Sequence, residues 1–333
     1  MQCRIFYHDH CFDGACSASV FSRFHRECVR AGVEYSYSGL MHRAGSLFDE
    51  SSFVDGDNAI VDFKYLASPK VTWWFDHHQS AFLTPEDHQD YLLYRSRHAE
   101  RHGDGRPVGG KFYNPEYISC TSLIADVARE EFGFNPEPYS ELIHWANIVD
   151  GAKYASAQAA IEMAEPAMKL TMVIESVAAN DFVPRLIPLL TEMSLQQVLD
   201  RPFVQKELGP LMERHHAGIE LLRERAVLER GVVTFDITDR VTEGYNKFIP
   251  YYLLPDAVYN VGLSRSSFRT KVAVGTNPWA TLPAEELANV AAICERYGGG
   301  GHARVGAVSF PPDREDAART AAAEIAAELR AGH

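Results

Sequence analysis

The chain has 333 residues, which is more than one hydrophobic core usually organises and enough for two domains. Its 46% hydrophobic and 23% charged residues are ordinary for a globular protein, and no apolar run approaches the roughly 20 residues that a membrane span requires. The net charge of −13 argues against a protein that coats long nucleic acid, because such proteins present a basic surface to many phosphates. The six cysteines lack CxxC spacing, so we expect a reduced, cytoplasmic protein without a membrane partner.

The first half of the sequence alternates short apolar runs with helical patterns. A strand at residues 3–8 leads into a glycine turn and a helix at about 15–31. Further strands are predicted at 33–37, 58–63 and 71–75, a long polar loop at 86–114, and amphipathic helices at 119–132 and 141–149. Such alternation is typical of a parallel sheet with helices on its faces, in which ligands bind at the carboxyl ends of the strands.

The second half begins with a helical stretch and then returns to mixed structure. Prolines interrupt the helical pattern of residues 156–230. Strands are then predicted at 232–237, 257–264, 269–274 and 305–310, and helices at 287–297 and 314–331. The fold class is therefore α/β. We predict a parallel-sheet domain at 1–155, a helical linker region at 156–230, and a smaller C-terminal α/β domain with a mixed sheet at 231–333.

Four short segments of the first half collect side chains that bind divalent metal ions, and three of them lie at predicted strand ends. The segments are 8–14 (HDHCFDG), 61–63 (VDF), 76–78 (DHH) and 147–151 (NIVDG). Asp oxygens together with His nitrogens suit Mn²⁺, and two such ions can clamp a phosphoryl group. Taken singly, each segment also fits a helix cap, an ordinary histidine or a turn. Their combination, in places where the strand ends converge, favours a metal site.

These residues resemble a known family. Asp76-His77-His78 is the triplet that names the DHH phosphoesterases, and the order of the other three segments matches that family. The run Gly298 to Gly301 followed by His302 resembles the GGGH motif of the family's associated C-terminal domain. The resemblance spans almost the whole chain. It implies a metal-dependent phosphoesterase that hydrolyses phosphodiester or phosphomonoester bonds.

The resemblance also implies roles for individual residues. Asp62 matches a carboxylate that bridges two ions, His78 matches a candidate general acid beside the substrate phosphate, and Asp76 matches a supporting member of the triplet. The other positions that match metal ligands are His8, Asp13, His77 and Asp150. The predicted substrate-binding residues are Gly299, Gly300, Gly301 and His302, with Arg265 and Arg304 as candidate phosphate partners.

The first motif departs from the family at one position. The common motif has an aspartate two residues before the position of Asp13, and this chain has Cys11 there. Cys11 is predicted to ligate as a thiolate, which would favour an ion softer than Mn²⁺, and Asp9 or His10 remain alternatives. The predicted cofactor is Mn²⁺. Two ions are expected, one ion stays an alternative, and Mg²⁺ or another divalent ion stays open.

The expected substrate is a short oligonucleotide or a small nucleotide, and no long duplex is expected as a partner. A homodimer stays open. The alternative function is a non-catalytic nucleotide-binding or regulatory module with a degenerate first metal site, which Cys11 alone supports. A third interpretation is a generic two-domain α/β protein, which predicts that Asp13, Asp62, His77 and Asp150 lie far apart.

Overall fold

The computed structural model describes residues 1–42, 46–97, 109–242 and 244–332. The chain divides into two compact units. The first contains Met1–Tyr154 and Ala164–Leu211, and the second contains Ala155–Met163 and Met212–His333. The region 156–230, predicted as a helical linker, is thus shared between the two units. Within the described parts of the chain, no helix is both long enough and apolar enough to span a membrane.

The first unit is built on a parallel five-stranded sheet. Its strands are β1 (Gln2–His8), β2 (Glu34–Leu40), β3 (Asp57–Val61), β4 (Trp73–Asp76) and β5 (Gly110–Tyr113). Their order in the sheet is β2-β1-β3-β4-β5, and every neighbouring pair is parallel. In this order the connections change direction between β1 and β3, and ligands of such sheets bind beyond the strand ends at that point. The predicted α/β fold with an N-terminal parallel sheet is confirmed.

Twelve α-helices are distributed over the two units in the described part of the chain. They are α1 (Phe12–Phe24), α2 (Pro85–Arg97), α3 (Cys120–Phe132), α4 (Ser140–Asp150), α5 (Ala157–Ile161), α6 (Pro166–Ser176), α7 (Phe182–Leu190), α8 (Leu195–Leu199), α9 (Pro202–Arg225), α10 (Ile249–Leu253), α11 (Val290–Glu295) and α12 (Glu315–Ala331). Aromatic side chains fill the core of the first unit between its sheet and helices. Phe21 and Phe24 of α1 pack edge-on against Trp73 of β4, which is fully buried. This packing fixes α1, and with it the residues just before the helix, against the sheet.

Two local predictions for the first unit were wrong. The helix expected at about 15–31 is present, but the glycine turn expected before it is absent, because the helix begins at Phe12 and contains Gly14; a π-helical turn follows at His25–Val29. The polar segment 86–114 is not one long loop, because it contains most of α2 and all of β5. Tyr91 of α2 is buried in the same cluster as Trp74, and this tertiary contact outweighs the low apolar content of the helix.

The second unit contains a mixed six-stranded sheet. Its strands are β6 (Val227–Glu229), β7 (Val232–Val241), β8 (Tyr259–Arg265), β9 (Thr270–Thr276), β10 (Gly300–His302) and β11 (Val305–Phe310). The order is β10-β11-β9-β8-β7-β6, and β7 with β8 is the parallel pair. Val261, Val272 and Val308 of the sheet form one buried cluster with Ile325 and Leu329 of α12. The predicted mixed sheet of the C-terminal part is confirmed.

Candidate metal centre

The candidate metal centre lies at the carboxyl ends of β1, β3 and β4, where the sheet order changes direction. His8 ends β1, Asp62 directly follows β3, and Asp76 ends β4. Parallel pairing brings these strand ends to one edge, since Tyr7 pairs with Val61 and Val61 pairs with Phe75. Residues that are far apart in the sequence therefore meet at the carboxyl edge of the sheet, which is where parallel sheets of this kind bind ligands.

The predicted ligands form compact groups whose donor atoms lie within 4.8 Å of one another. One group combines His8, Cys11 and Asp62, and another combines Asp13, His77 and Asp150. A third places His78 with Asp62 and His77. The structure thus brings together all six residues predicted as metal ligands, and the interpretation with distant motif residues is wrong.

Asp62 stands at the centre of the cluster and is fully buried. Its Oδ2 lies 3.5 Å from His8 Nδ1 and its Oδ1 lies 3.5 Å from His77 Nε2. Among the described residues neither oxygen has a hydrogen-bond partner, and both facing imidazole nitrogens are also buried without one. Unpartnered buried polar atoms cost free energy, so four such atoms that face one another fit a site for cations. The φ of Asp62 is +57°, a conformation that is uncommon outside glycine and that clusters at functional sites.

The buried carboxylate of Asp13 is held by the start of α3. Its Oδ2 accepts a hydrogen bond from Cys120 N at 2.7 Å. Its Oδ1 accepts from Thr121 N at 3.1 Å and from Thr121 Oγ1 at 2.6 Å. Backbone N–H groups at the start of a helix favour a nearby negative charge, and together with Thr121 they fix the orientation of the Asp13 side chain. Sequence reasoning missed Thr121, because its contact joins residues 108 positions apart.

His77 is oriented by a backbone carbonyl. Its Nδ1 lies 3.0 Å from Tyr117 O, a carbonyl that can only accept, so Nδ1 is the donor and Nε2 is directed toward the carboxylates. Nε2 lies 3.4 Å from Asp150 Oδ2 and 3.7 Å from Asp13 Oδ2. Metal-binding histidines commonly donate their second N–H in this way. A backbone acceptor carries no side-chain signal, so Tyr117 could not be found from the sequence.

The close packing of buried carboxylates raises the pKa values of Asp13 and Asp150. Burial raises the pKa of Asp13 well above its usual range, and the charges of Asp62 and Asp150 raise it further. Burial and then Asp62 raise the pKa of Asp150 to about 6. Burial alone would lower the pKa of His77, but Asp62 and Asp13 raise it to about 10. The protein on its own balances these negative charges by holding protons, a task that a divalent cation would take over.

His78 lies in a ligand group, but its shortest side-chain contact is with Asp76. His78 Nδ1 lies 2.7 Å from Asp76 Oδ1, which also accepts hydrogen bonds from the backbone N–H groups of His77 and His78. Asp76 is fully buried, so its position is fixed. Burial would lower the pKa of His78, but the bond to Asp76 raises it. Asp76 therefore has the geometry of an orienting residue, and His78 Nε2 is left for another partner.

The three candidate residues of the first motif differ in their surroundings. Cys11 is in a ligand group, whereas Asp9 and His10 belong to none among the described residues. Asp9 Oδ1 accepts a hydrogen bond from His10 N, and its carboxylate lies over β2, where a Cβ on Gly39 would approach it to 2.3 Å. Asp9 is thus packed against β2, and of the three residues only Cys11 shares a ligand group with Asp62 in the described part of the chain.

The glycine motif lies in the second unit and forms a hairpin of β10 with β11 rather than an open loop. Gly298 has a φ of +76° and Gly301 one of +152°, conformations that side chains rarely adopt. A Cβ on Gly299 would approach Ala307 O to 2.2 Å, whereas a Cβ on Gly300 would meet nothing within 4 Å in the described part of the chain. The fold thus requires three of these glycines and makes no steric demand on Gly300, whose contact with a substrate stays a prediction.

The other predicted substrate-binding residues also lie in the second unit. His302 is exposed, and Arg304 is half-buried with its carbonyl bonded to Thr276 N. Arg265 Nη1 lies 3.6 Å from Glu315, so its charge is already partly compensated. Their contact with a substrate stays a prediction.

Comparisons with known proteins agree with this architecture. No protein-family model matches the sequence, and a search of curated proteins found no match. The structure is similar to that of a pGpG-specific phosphodiesterase, PggH from Vibrio cholerae, with a TM-score of 0.67 and 16% identity over 100% of both chains. It is also similar to the structure of a DHH domain from a protein described as a member of a family of ribosomal proteins, with a TM-score of 0.55 and 14% identity over 98% of this chain and 87% of the other. The resemblance inferred from the motifs is therefore confirmed at the level of the fold, and this chain has the architecture of the DHH-domain proteins.

Proposed function

We propose that the protein is a metal-dependent phosphoesterase of the DHH type that hydrolyses phosphodiester or phosphomonoester bonds in short oligonucleotides or small nucleotides. One observation carries the proposal. Four buried polar atoms, the two oxygens of Asp62 and the facing nitrogens of His8 and His77, point at one another without hydrogen-bond partners among the residues that the structure describes. Carboxylate and imidazole donors in this arrangement suit divalent cations.

The candidate ligands would hold two cations, and Asp62 is the residue whose oxygens face both His8 and His77. They are His8, Cys11, Asp13, Asp62, His77 and Asp150. Bound divalent cations would polarise phosphoryl oxygens and make water nucleophilic at neutral pH. Mn²⁺ and Mg²⁺ are the first ions to test, and a single-ion enzyme stays the alternative. A cytoplasmic location is a further part of the proposal, and a homodimer stays open.

His78 supplies the proton in the proposed reaction. Its Nδ1 is engaged by Asp76, so Nε2 can donate a proton to the leaving oxygen as the phosphorus–oxygen bond breaks. Thr121 holds Asp13 and the Tyr117 carbonyl holds His77, which keeps the ligand atoms in place without rearrangement during the reaction.

A short substrate agrees with the charge of the protein. With 45 acidic and 32 basic residues, the chain lacks the general basic surface that long nucleic acids require. The structural neighbour described as a pGpG-specific phosphodiesterase makes a linear dinucleotide the first compound to test. Cyclic dinucleotides and nucleoside bisphosphates are the second and third.

The test is hydrolysis by the full-length protein after its metals are removed with EDTA and one ion is returned at a time. We expect cleavage of at least one short nucleotide with Mn²⁺ or Mg²⁺ and none in EDTA. Binding of these nucleotides without cleavage under any ion would instead support the non-catalytic nucleotide-binding module.

Replacement of Asp76 tests the assignment of His78. We expect Asp76→Asn to lower kcat for a dinucleotide by about 10–100-fold, because an asparagine orients the imidazole of His78 less firmly than a carboxylate does. A p-nitrophenyl nucleotide needs little help from an acid, since its leaving group is stable without a proton, so its hydrolysis should fall much less. Equal losses for both substrates would contradict the role of His78 as the proton donor.

Two neighbouring glycines test the hairpin of the second unit. Gly300→Ala adds a methyl group in open space, so we expect an unchanged melting temperature and a kcat/KM lowered by about tenfold or more, because the backbone approach of a phosphate is blocked. Gly299→Ala places its methyl group against Ala307 O and should cost about 1–3 kcal/mol of stability. If Gly300→Ala keeps full kcat/KM, the hairpin does not bind the substrate.

A further inference from the structure

We propose that the metal centre binds two different ions, an inference that rests on the proposed function. The group of His8, Cys11 and Asp62 takes Zn²⁺ or a similar thiophilic divalent ion, and the group of Asp13, His77 and Asp150 takes Mn²⁺ or Mg²⁺. The protein is then a mixed-metal enzyme, in which a single cysteine distinguishes the two positions.

The donor sets of the two groups differ in their chemistry. The first offers one imidazole nitrogen, one thiol sulfur and one carboxylate oxygen, and the second offers one imidazole and two carboxylates. Thiolates select zinc and similar ions, whereas carboxylate-rich sites suit manganese and magnesium. Three protein ligands with one coordination position left open is also the number typical of catalytic zinc sites. The first group therefore has the composition of a zinc site, and the second does not.

The position of Cys11 is not explained by the fold alone. Cys11 is the residue before α1, with φ −128° and ψ 130°. Helices favour Ser, Thr, Asp or Asn at this position, because those side chains accept hydrogen bonds from the first turn, and cysteine is a poor substitute. Its neighbour Asp62 is fully buried with both oxygens unpartnered among the described residues, and His8 Nδ1 is unpartnered there as well. Sulfur thus lies beside two other donors that also need a cation.

The other nearby thiols serve as an internal comparison. Cys16 and Cys120 are fully buried close to the carboxylates, whereas Cys11 is partly exposed, yet neither Cys16 nor Cys120 belongs to a ligand group among the described residues. Cys120 Sγ instead donates to Phe75 O at 3.4 Å. Only the thiol of Cys11 is placed with both an imidazole and a carboxylate in the part of the chain that the structure describes.

The charges of such a centre balance. Binding of the thiophilic ion releases the thiol proton of Cys11 to solvent and forms a metal–sulfur bond. The thiolate and the carboxylates of Asp13, Asp62 and Asp150 then carry four formal negative charges, which equal the charge of two divalent cations. Because Asp62 is fully buried, such neutrality removes most of the cost of holding these groups away from water.

The test uses the metal-free full-length protein with a saturating amount of Mn²⁺, to which Co²⁺ is added without oxygen as a spectroscopic substitute for Zn²⁺. We expect a thiolate-to-cobalt charge-transfer absorption in the near ultraviolet that saturates at about one Co²⁺ per chain. With Zn²⁺ in place of Co²⁺, elemental analysis after gel filtration should give about one zinc and about one manganese per chain.

Three variants make the assignment specific. Cys11→Ser should lose the absorption, and Cys28→Ser, which changes a partly exposed thiol outside every ligand group among the described residues, should keep it. Cys11→Asp, which supplies a hard oxygen at the same position, should bind zinc about tenfold or more weakly relative to manganese and retain two manganese ions. Circular dichroism of each variant shows whether it is folded. Absorption that persists in Cys11→Ser, or a parent protein that binds two manganese ions and no zinc under these conditions, would overturn the proposal.

Failure of this inference is distinguishable from failure of the proposed function. A protein that hydrolyses a dinucleotide with two manganese ions, and that shows no cobalt–thiolate absorption, keeps the phosphoesterase assignment and loses the mixed-metal centre. A protein that shows the absorption but cleaves no phosphate ester keeps the thiolate site and loses the phosphoesterase assignment.

Discussion

Replacement of the central carboxylate is expected to remove activity while the fold is kept. We predict that Asp62→Asn lowers kcat/KM by about 1,000-fold or more, because metal stabilisation of charge in the transition state is worth several kcal/mol and each ~1.36 kcal/mol is tenfold in rate. Asp62 is the residue that faces both His8 and His77 with oxygens that lack partners among the described residues. Its loss should therefore weaken both cation positions together.

The choice of asparagine makes this variant a test of charge rather than of folding. Asparagine has nearly the shape of aspartate and tolerates the positive φ of +57° at this position better than alanine does. The free energy of unfolding in EDTA should thus change little compared with the loss of activity. A second measurement is thermal unfolding with and without Mn²⁺. The parent should gain about 2.7 kcal/mol when the ion is present at about 100 times its Kd, and the variant should gain much less.

The control for this variant is a matched substitution elsewhere in the first unit. Asp200 is exposed at the end of α8, where it accepts a hydrogen bond from Gln196, and it lies in no ligand group of the described residues. Asp200→Asn should retain the parental activity and the parental response to Mn²⁺. An Asp62→Asn variant as active as the parent would remove the metal mechanism altogether.

The sequence was sufficient to predict the parts of the centre that lie at strand ends. Each short apolar run marks a strand, and in a parallel sheet the residues after the strands must meet at one edge, which is how His8, Asp62 and Asp76 were found. Asp150 ends a helix rather than a strand, so its segment stood out only by its residue types, and its assignment as a ligand came from the family resemblance. The strand order that puts β1 beside β3 also could not be read from local patterns, because it depends on how the connections cross the sheet.

The parts that sequence reasoning missed are set by tertiary contacts. Helix α2 was predicted as loop because its residues are mostly polar, and its formation depends on the burial of Tyr91 beside Trp74. The expected linker was divided between the units because helices such as α7 pack on the first one, where Ser19 Oγ donates to Ile187 O at 2.6 Å. Neither contact has a signal within the segment that it orders.

Gly14 illustrates the same limitation at the site itself. The pair Asp13-Gly14 reads as a turn, yet the structure places both residues in the first turn of α1. A Cβ on Gly14 would lie 2.1 Å from His8 O and 3.0 Å from His8 Cβ. The glycine is therefore explained by the close approach of the helix to the end of β1, not by backbone flexibility. Its lack of a side chain lets His8 and Asp13 reach one site.

Because of this contact, we expect replacement of Gly14 by alanine to lower the stability of the protein, which is the opposite of the usual effect of that replacement within a helix. Alanine in place of glycine within a helix normally stabilises by about 0.5–1 kcal/mol. We expect Gly14→Ala instead to destabilise the protein by about 1–3 kcal/mol, because its methyl group cannot fit beside the His8 carbonyl. The strain can be relieved only by moving β1 or α1, and a displacement of about 1 Å at His8 should lower kcat/KM by about 100-fold.

The matched control is Gly218→Ala in α9, where an added Cβ would meet only the end of the Ile249 side chain, at 4.0 Å, in the described part of the chain. This variant should unfold at a slightly higher temperature than the parent and keep full activity. Thermal unfolding and dinucleotide hydrolysis, measured on both variants with the same Mn²⁺ concentration, separate the local effect from a general effect of alanine in helices. If Gly14→Ala behaves like Gly218→Ala, then α1 does not press on the end of β1, and the geometry that joins His8 to Asp13 must be supported in another way.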